Sequence, residues 1–464
     1  MTTGTAPAPA EMAAWLLGLL MAFIGIMSVA GVGFSRPFLL APVLLALVFV
    51  SLHTRTLART SCGLTLAFAA YLAVLGMNIF FFHPELATLA NFKGLVMLAL
   101  GWGGFLAALQ TKDSKPLLTG IAVTEFLLVG QIWLSFFTGW GEIIDSRDGI
   151  RRAYGWAGDG YSPLLVFLVL TNLFHARNIR AVIGTVALFM TGGKMSIMLA
   201  FLCFLVALPL AQKRMMMALT FAASLILGML VIDPDMRLTT AWETTPAPLV
   251  PGTQVTDPAP PPATRRETTS APLVPGTQVT DPAPPPATTR KTTSAAEYLV
   301  NGAAATGLGR IISASAGWHM LHAYPAKGVG FGQSGRPEIF QPAVLADAFG
   351  LQQKWKVHTL RLLAEKDISN QTILTAAELG VPGAITFAIF CLLAVLACCK
   401  TWIHARSAPP ASDMENIRAV AAIWCLVLIV FNQTAPWLLP GAATTLWLCI
   451  MLGLAVSWPQ KQTC

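Results

Sequence analysis

The 464-residue sequence is 55% hydrophobic and only 11% charged, with a mean hydropathy of +0.65, whereas soluble domains carry roughly a quarter charged residues. That composition excludes an ordinary soluble protein and predicts an all-α integral membrane protein. The formal net charge of +8 comes from Lys and Arg standing singly or in pairs between apolar runs, so there is no basic face for nucleic acid and the charge reports topology first.

A bilayer-length run needs about 17 to 22 apolar residues to cross roughly 30 Å of hydrocarbon. Such runs fall near 13 to 31, 37 to 52, 62 to 82, 94 to 110, 117 to 139, 161 to 176, 179 to 193, 195 to 211, 215 to 232, 379 to 399, 417 to 434 and 438 to 457. The expectation is therefore about twelve transmembrane helices. Residues 1–12 hold no basic residue ahead of the first run, so that run reads as a retained span rather than a cleaved signal peptide. All eight cysteines lie in or beside these runs, which excludes a disulfide framework or a Cys-ligated metal in the long polar loop.

One set of alternate loops holds Arg55, Arg59, Lys112, Lys115, Arg177, Arg180, Lys213, Arg214, Lys400, Arg406, Arg418 and Lys461. The other, apart from the long loop, holds Arg36, Lys93, Arg147, Arg151, Arg152 and Lys194. Twelve against six puts both termini in the cytoplasm by the positive-inside rule. The long loop then falls on the outer face, which in a double-membrane bacterium is the periplasm. The expected organisation is 1–232 for spans one to nine, 233–293 for a Pro/Thr-rich linker, 294–378 for a periplasmic subdomain and 379–464 for the last three spans.

Between the fifth and sixth spans, Arg147, Arg151 and Arg152 stand beside Tyr154, Gly155 and Trp156, against the charge bias. Guanidinium groups grip phosphate oxygens in bidentate fashion; the alternative is a solvated interfacial loop with an aromatic belt. Lys194, in Thr191-Gly-Gly-Lys194, suits a lipid pyrophosphate at the surface, or snorkels as a helix cap. Within the long loop, 244–267 is repeated almost verbatim at 268–291. A Pro/Thr repeat without apolar periodicity reads as an extended tether. Further on, Ala, Gly and aromatic residues return, and short helices on the mouth of the bundle are expected.

That second half carries Arg310, Trp318, His319, His322, Pro325, Gly328, Gly330, His358, Asn370, Glu378 and Gly380. Gly328-Val-Gly330-Phe-Gly332 lacks the βαβ context of a nucleotide loop and reads as a tight turn. The histidines, or Glu378, are candidate general bases. His319 and His322 are three residues apart, but nothing completes a metal site, so neither metal nor cofactor is expected.

In this order the features resemble the O-antigen ligase and polymerase superfamily of bacterial envelope proteins, which has about twelve spans in a GT-C-like arrangement and a large periplasmic loop between the ninth and tenth. The family loop runs Arg, Trp, Pro-x-x-Gly-x-Gly, His-Asn and Glu-Leu-Gly; here Arg310, Trp318, Pro325, Gly328, Gly330, Asn370, Glu378, Leu379 and Gly380 stand in that order. Arg152 with Gly155, and Lys194, match its other basic positions. The resemblance implies a glycosyltransferase whose donor is a polyprenyl-diphosphate-linked glycan, with membrane lipids, a flippase and chain-length regulator proteins as partners and no nucleic acid. Ser369 replaces the family histidine before Asn370, which turns the expectation toward an exopolysaccharide or O-antigen polymerase rather than a ligase to lipid A core or a protein O-oligosaccharyltransferase. A transporter or flippase, for which Glu125 is the main intramembrane charge, and an envelope scaffold are the rivals from other classes.

Overall fold

The computed structural model describes residues 9–29, 62–86, 88–140, 142–145, 151–155, 161–191, 194–232, 310–346, 368, 370–431 and 443–457. The expected span at 37 to 52, the Pro/Thr repeat and His358 lie outside these residues, as do the side chains of Arg151, Arg152 and Lys194. In chain order the elements are α1 (Pro9–Val29), α2 (Cys62–Met77) with a π-helical end (Asn78–Phe82), α3 (Leu89–Gln110), α4 (Lys115–Thr138), β1 (Glu142–Asp145) and β2 (Arg151–Gly155). There follow α5 (Ser162–Phe174), α6 (Asn178–Met190), α7 (Lys194–Ala207), α8 (Arg214–Ile232), α9 (310–323), α10 (Pro337–Leu345), α11 (Gln371–Ser407), α12 (Asp413–Phe431) and α13 (Ala443–Val456).

Among the described residues, five helices are long and apolar enough to cross a membrane: Gly63–Phe82, Lys115–Thr138, Arg214–Val231, Gln371–Ser407 and Asp413–Phe431. Six more apolar helices have 10–17 residues. A turn at residues 175–177 separates α5 from α6, and at 13 residues each these two helices span only about 20 Å. Among the described residues the only sheet is one antiparallel ribbon, which corrects the reading of the basic segment after α4 as a plain loop. Ile144 pairs with Arg152 and Asp145 with Arg151, since the β-branched pair Ile143-Ile144 favours a pleated strand over another helical turn. The ribbon's β2 packs on α4 and α6, with Ala153 buried.

Small residues let the helices approach closely, which is how bundles gain contact where lipid offers no hydrophobic drive. A Cβ on Gly18 or Gly120 would run into the facing backbone of the α1–α4 pair. Gly453 of α13 lies against the Phe105 carbonyl of α3 in the same way. Aromatic stacking fills the space between α2, α3 and α11: Trp102 lies 4.1 Å from Phe68 and 4.0 Å from Phe105, ring to ring.

The turns that end α3, α5, α7 and α11 meet on one face of the bundle. There Arg418 donates to the Thr111 carbonyl at 3.1 Å, Gln212 donates to that of Pro410 at 2.7 Å, and His175 faces Asp413 at 3.5 Å. The opposite face carries α9, α10 and the first turns of α11, which enclose a small separate core of Ile312, Ala316, Met320, Phe340, Val344, Leu374 and Ala377. Gly317 lets α9 close on Ile373 and Ile368.

Candidate functional site

The site is organised by a break in α11. Gly380 has φ +70° and ψ −166° inside the helix, a conformation open essentially to glycine alone, and Pro382 has no N–H to give. Two helical hydrogen bonds are thereby lost, which orphans the carbonyls of Ala377 and Glu378. Such a break is tolerated in an apolar bundle only where other groups satisfy the backbone.

The Pro325–Gly332 loop does this. Val329 N donates to the Ala377 carbonyl at 2.9 Å and Gly330 N to that of Glu378 at 3.1 Å, while Val381 N donates to the Pro325 carbonyl at 2.7 Å. Gly328 has φ +67° and Gly330 φ +101°. A Cβ on Gly328 would collide with the Glu378 carbonyl, and one on Gly380 would stand 2.6 Å from the Pro325 oxygen. The Glu378 side chain closes the knot from below. Ser334 Oγ donates to its Oε1 at 2.7 Å, and the backbone amides of Gly332 and Ser334 also hydrogen-bond its carboxyl.

A third segment locks the first two together. Asn78, 1% exposed where α2 turns π-helical, donates from Nδ2 to the carbonyls of Lys327 at 2.6 Å and Glu378 at 3.3 Å. Its Oδ1 accepts from Phe331 N at 3.0 Å. Five residues on, His83 Nδ1 lies 3.1 Å from Glu85 Oε1, and its ring lies beneath Gly330. His83 Nε2 is buried and has no hydrogen-bond partner among the described residues. Glu85 is held below the usual carboxylate range, first by its own backbone amide and then by His83.

Pro325, Gly328, Gly330, Glu378 and Gly380 are thus brought into one knot from positions some fifty residues apart. Asn370 caps α11, its Oδ1 accepting from Ile373 N at 2.9 Å. Trp318 lies half exposed on α9 with its ring 5.0 Å from that of His322, edge to face; His319 is partly buried beside it and Arg310, also partly buried, opens the same helix. Arg151 and Arg152 stand on β2, and Lys194 opens α7. Short turns make successive helices alternate in direction, so both of these segments and the knot belong to the same end of the bundle. Among the described residues, no three His, Cys, Asp or Glu side chains converge as metal ligands.

No family model and no curated protein matches this chain.

Asn78, His83, Glu85 and Ser334 were not anticipated from sequence. One signal was present: an Asn and a His-Pro-Glu triplet end an otherwise apolar run, where a polar residue facing lipid would be costly.

Proposed function

We propose that the chain is a polytopic membrane glycosyltransferase of about twelve spans, which joins polyprenyl-diphosphate-linked repeat units on the periplasmic side of a bacterial inner membrane. The observation that carries this reading is the knot itself. Two short motifs that resemble the O-antigen ligase and polymerase pattern hydrogen-bond to each other, which gives a physical reason for their co-occurrence in one chain.

The chemistry asks for two things. As the bond from the sugar C1 to the diphosphate oxygen breaks, negative charge grows on the leaving group, and preorganised cations there are worth most. Arg151, Arg152, Lys194 and Arg310 are the groups for that task, from segments at the knot's end of the bundle. The acceptor hydroxyl attacks C1 and gives up its proton to a base. His83, oriented by Glu85 through Nδ1, has the arrangement in which a carboxylate fixes the tautomer and Nε2 takes the proton; Nε2 is buried in this structure and is to be uncovered when the acceptor binds. It fills the role left open by Ser369. Glu378 is better suited to positioning, since loop donors occupy its carboxyl. His319, His322 and His358 remain alternatives as base.

The Glu125–Asn172 hydrogen bond, 2.6 Å, with Arg180 at 3.8 Å, is the observation a transporter would rest on, and one assay separates the readings. Purified protein in liposomes with a single lipid-linked repeat unit is expected to yield a ladder of longer glycans. His83→Ala and Arg152→Ala are each expected to lower the yield at least about a hundredfold, the usual contribution of one general base or one charge-stabilising group. Absence of a ladder with wild-type protein, or an undiminished ladder with both variants, overturns the proposal. Movement of the unit across the bilayer without elongation establishes transport instead.

A further inference from the structure

At the opposite end of the bundle, an open depression of about 800 Å³ at the start of α4 and α6 is bordered by Lys115, Arg177, Arg180 and Asp413. It runs into a second hollow of about 310 Å³ between the same two helices, floored by Phe126, Val129, Gly130, Trp133 and Ile183, with Glu125 at its Arg180 end. The two share Ala122 and Arg180, so they form one groove with a cationic mouth and an apolar floor.

The mouth has three cations and one acid, and Asp413 already faces His175 at 3.5 Å. Arg180 is half spent, since it stands 3.8 Å from Glu125, whose carboxylate also accepts from Asn172 at 2.6 Å. Arg177 also lies within electrostatic reach of Glu125 but makes no ion pair with it as close as that of Arg180, so Lys115 and Arg177 are the cations with most charge left for an anion. The floor is open as well as apolar: Phe126 is 78% exposed, and no atom lies within 4 Å of where a Cβ of Gly130 would stand. A free phosphate would use the mouth and leave this floor exposed, whereas a lipid would cover both.

We propose that this groove binds one anionic glycerophospholipid, with its phosphate between Lys115 and Arg177 and an acyl chain over Gly130 between α4 and α6. Basic pockets between helices at the membrane surface select anionic head groups in this way. The site stands whether or not the glycan-transfer reading holds, because it lies at the other end of the bundle and uses none of the knot.

The test is a titration of detergent-purified protein with fluorescent phosphatidylglycerol and, separately, fluorescent phosphatidylcholine. Wild type is expected to prefer the anionic lipid. Lys115→Gln with Arg177→Gln is expected to weaken phosphatidylglycerol binding by about tenfold or more, roughly the worth of two surface cations, and to leave phosphatidylcholine unchanged. Gly130→Leu, at an open position away from the charges, is expected to fill the floor and weaken both lipids; should the double variant fail to fold, it carries the test. Equal binding of the two lipids by wild type overturns the proposal, as does unaltered phosphatidylglycerol binding in whichever variant folds. Displacement of phosphatidylglycerol by millimolar inorganic phosphate as effective as by unlabelled phosphatidylglycerol assigns a free-anion site and also overturns it.

Discussion

Asn78 makes three hydrogen bonds with backbone groups 249 to 300 residues away, and no other side chain described joins all three parts of the knot. Replacing it by Ala leaves the part-buried Phe331 amide and Lys327 carbonyl without their partner, each at up to about 1–3 kcal/mol, the cost of a fully buried unsatisfied group. Asn78→Ala is therefore expected to lower the thermal midpoint of the detergent-purified protein by several degrees. Asn78→Asp, which keeps the acceptor and loses both donated bonds, should place a carboxylate against two carbonyls and do no better. A midpoint unchanged in both would mean that the knot holds without its clasp. At this scale the sequence was only partly legible. Gly328, Gly330 and Gly380 could be singled out because their spacing is local and glycine marks unusual backbone. Asn78 and His83 could not, because an Asn in an apolar run carries no record of which distant carbonyl it will meet.

At the scale of elements, α11 is the one whose sequence and geometry differ most informatively. Hydropathy alone started a span at residue 379; the helix starts at Gln371, capped by Asn370, and bends at Gly380. The first turns of α11 belong to the small core with α9 and α10, and the rest to the bundle, so the break is the joint between two packing environments. Gly380→Ala puts a Cβ 2.6 Å from the Pro325 carbonyl at a φ that costs about 1–3 kcal/mol for a non-glycine residue. The expected outcome is release of the 325–336 loop, read as new cleavage there under limited proteolysis and as loss of glycan elongation. Resistance equal to wild type would show that α11 can bend there without glycine. The ribbon β1–β2 was missed because a four-residue strand rich in charge gives almost no period to count, and only its docking on α4 and α6 makes it persist.

For the whole molecule, the proposed function requires the repeat-bearing segment and both termini to lie on opposite sides of the membrane, the arrangement expected from the charge bias. A protease site placed between the two repeat copies, at residue 267, is expected to be cut by protease added to spheroplasts, while a C-terminal tag stays protected until the membrane is broken. Cleavage in the reverse sense would invert the orientation and overturn the proposed glycan transfer at the knot. What the sequence determined by itself is the class of molecule, because apolar length and sparse charge are additive properties that need no contacts. It also marked the loop and the Glu-Leu-Gly stretch as special, since glycine and proline act on their own backbone. Only the tertiary structure decided that these stretches complete each other's hydrogen bonds, that Asn78 fastens them and that His83 lies beneath. An orphaned carbonyl in α11 acquires a partner only through a fold that brings α2 and the loop to it.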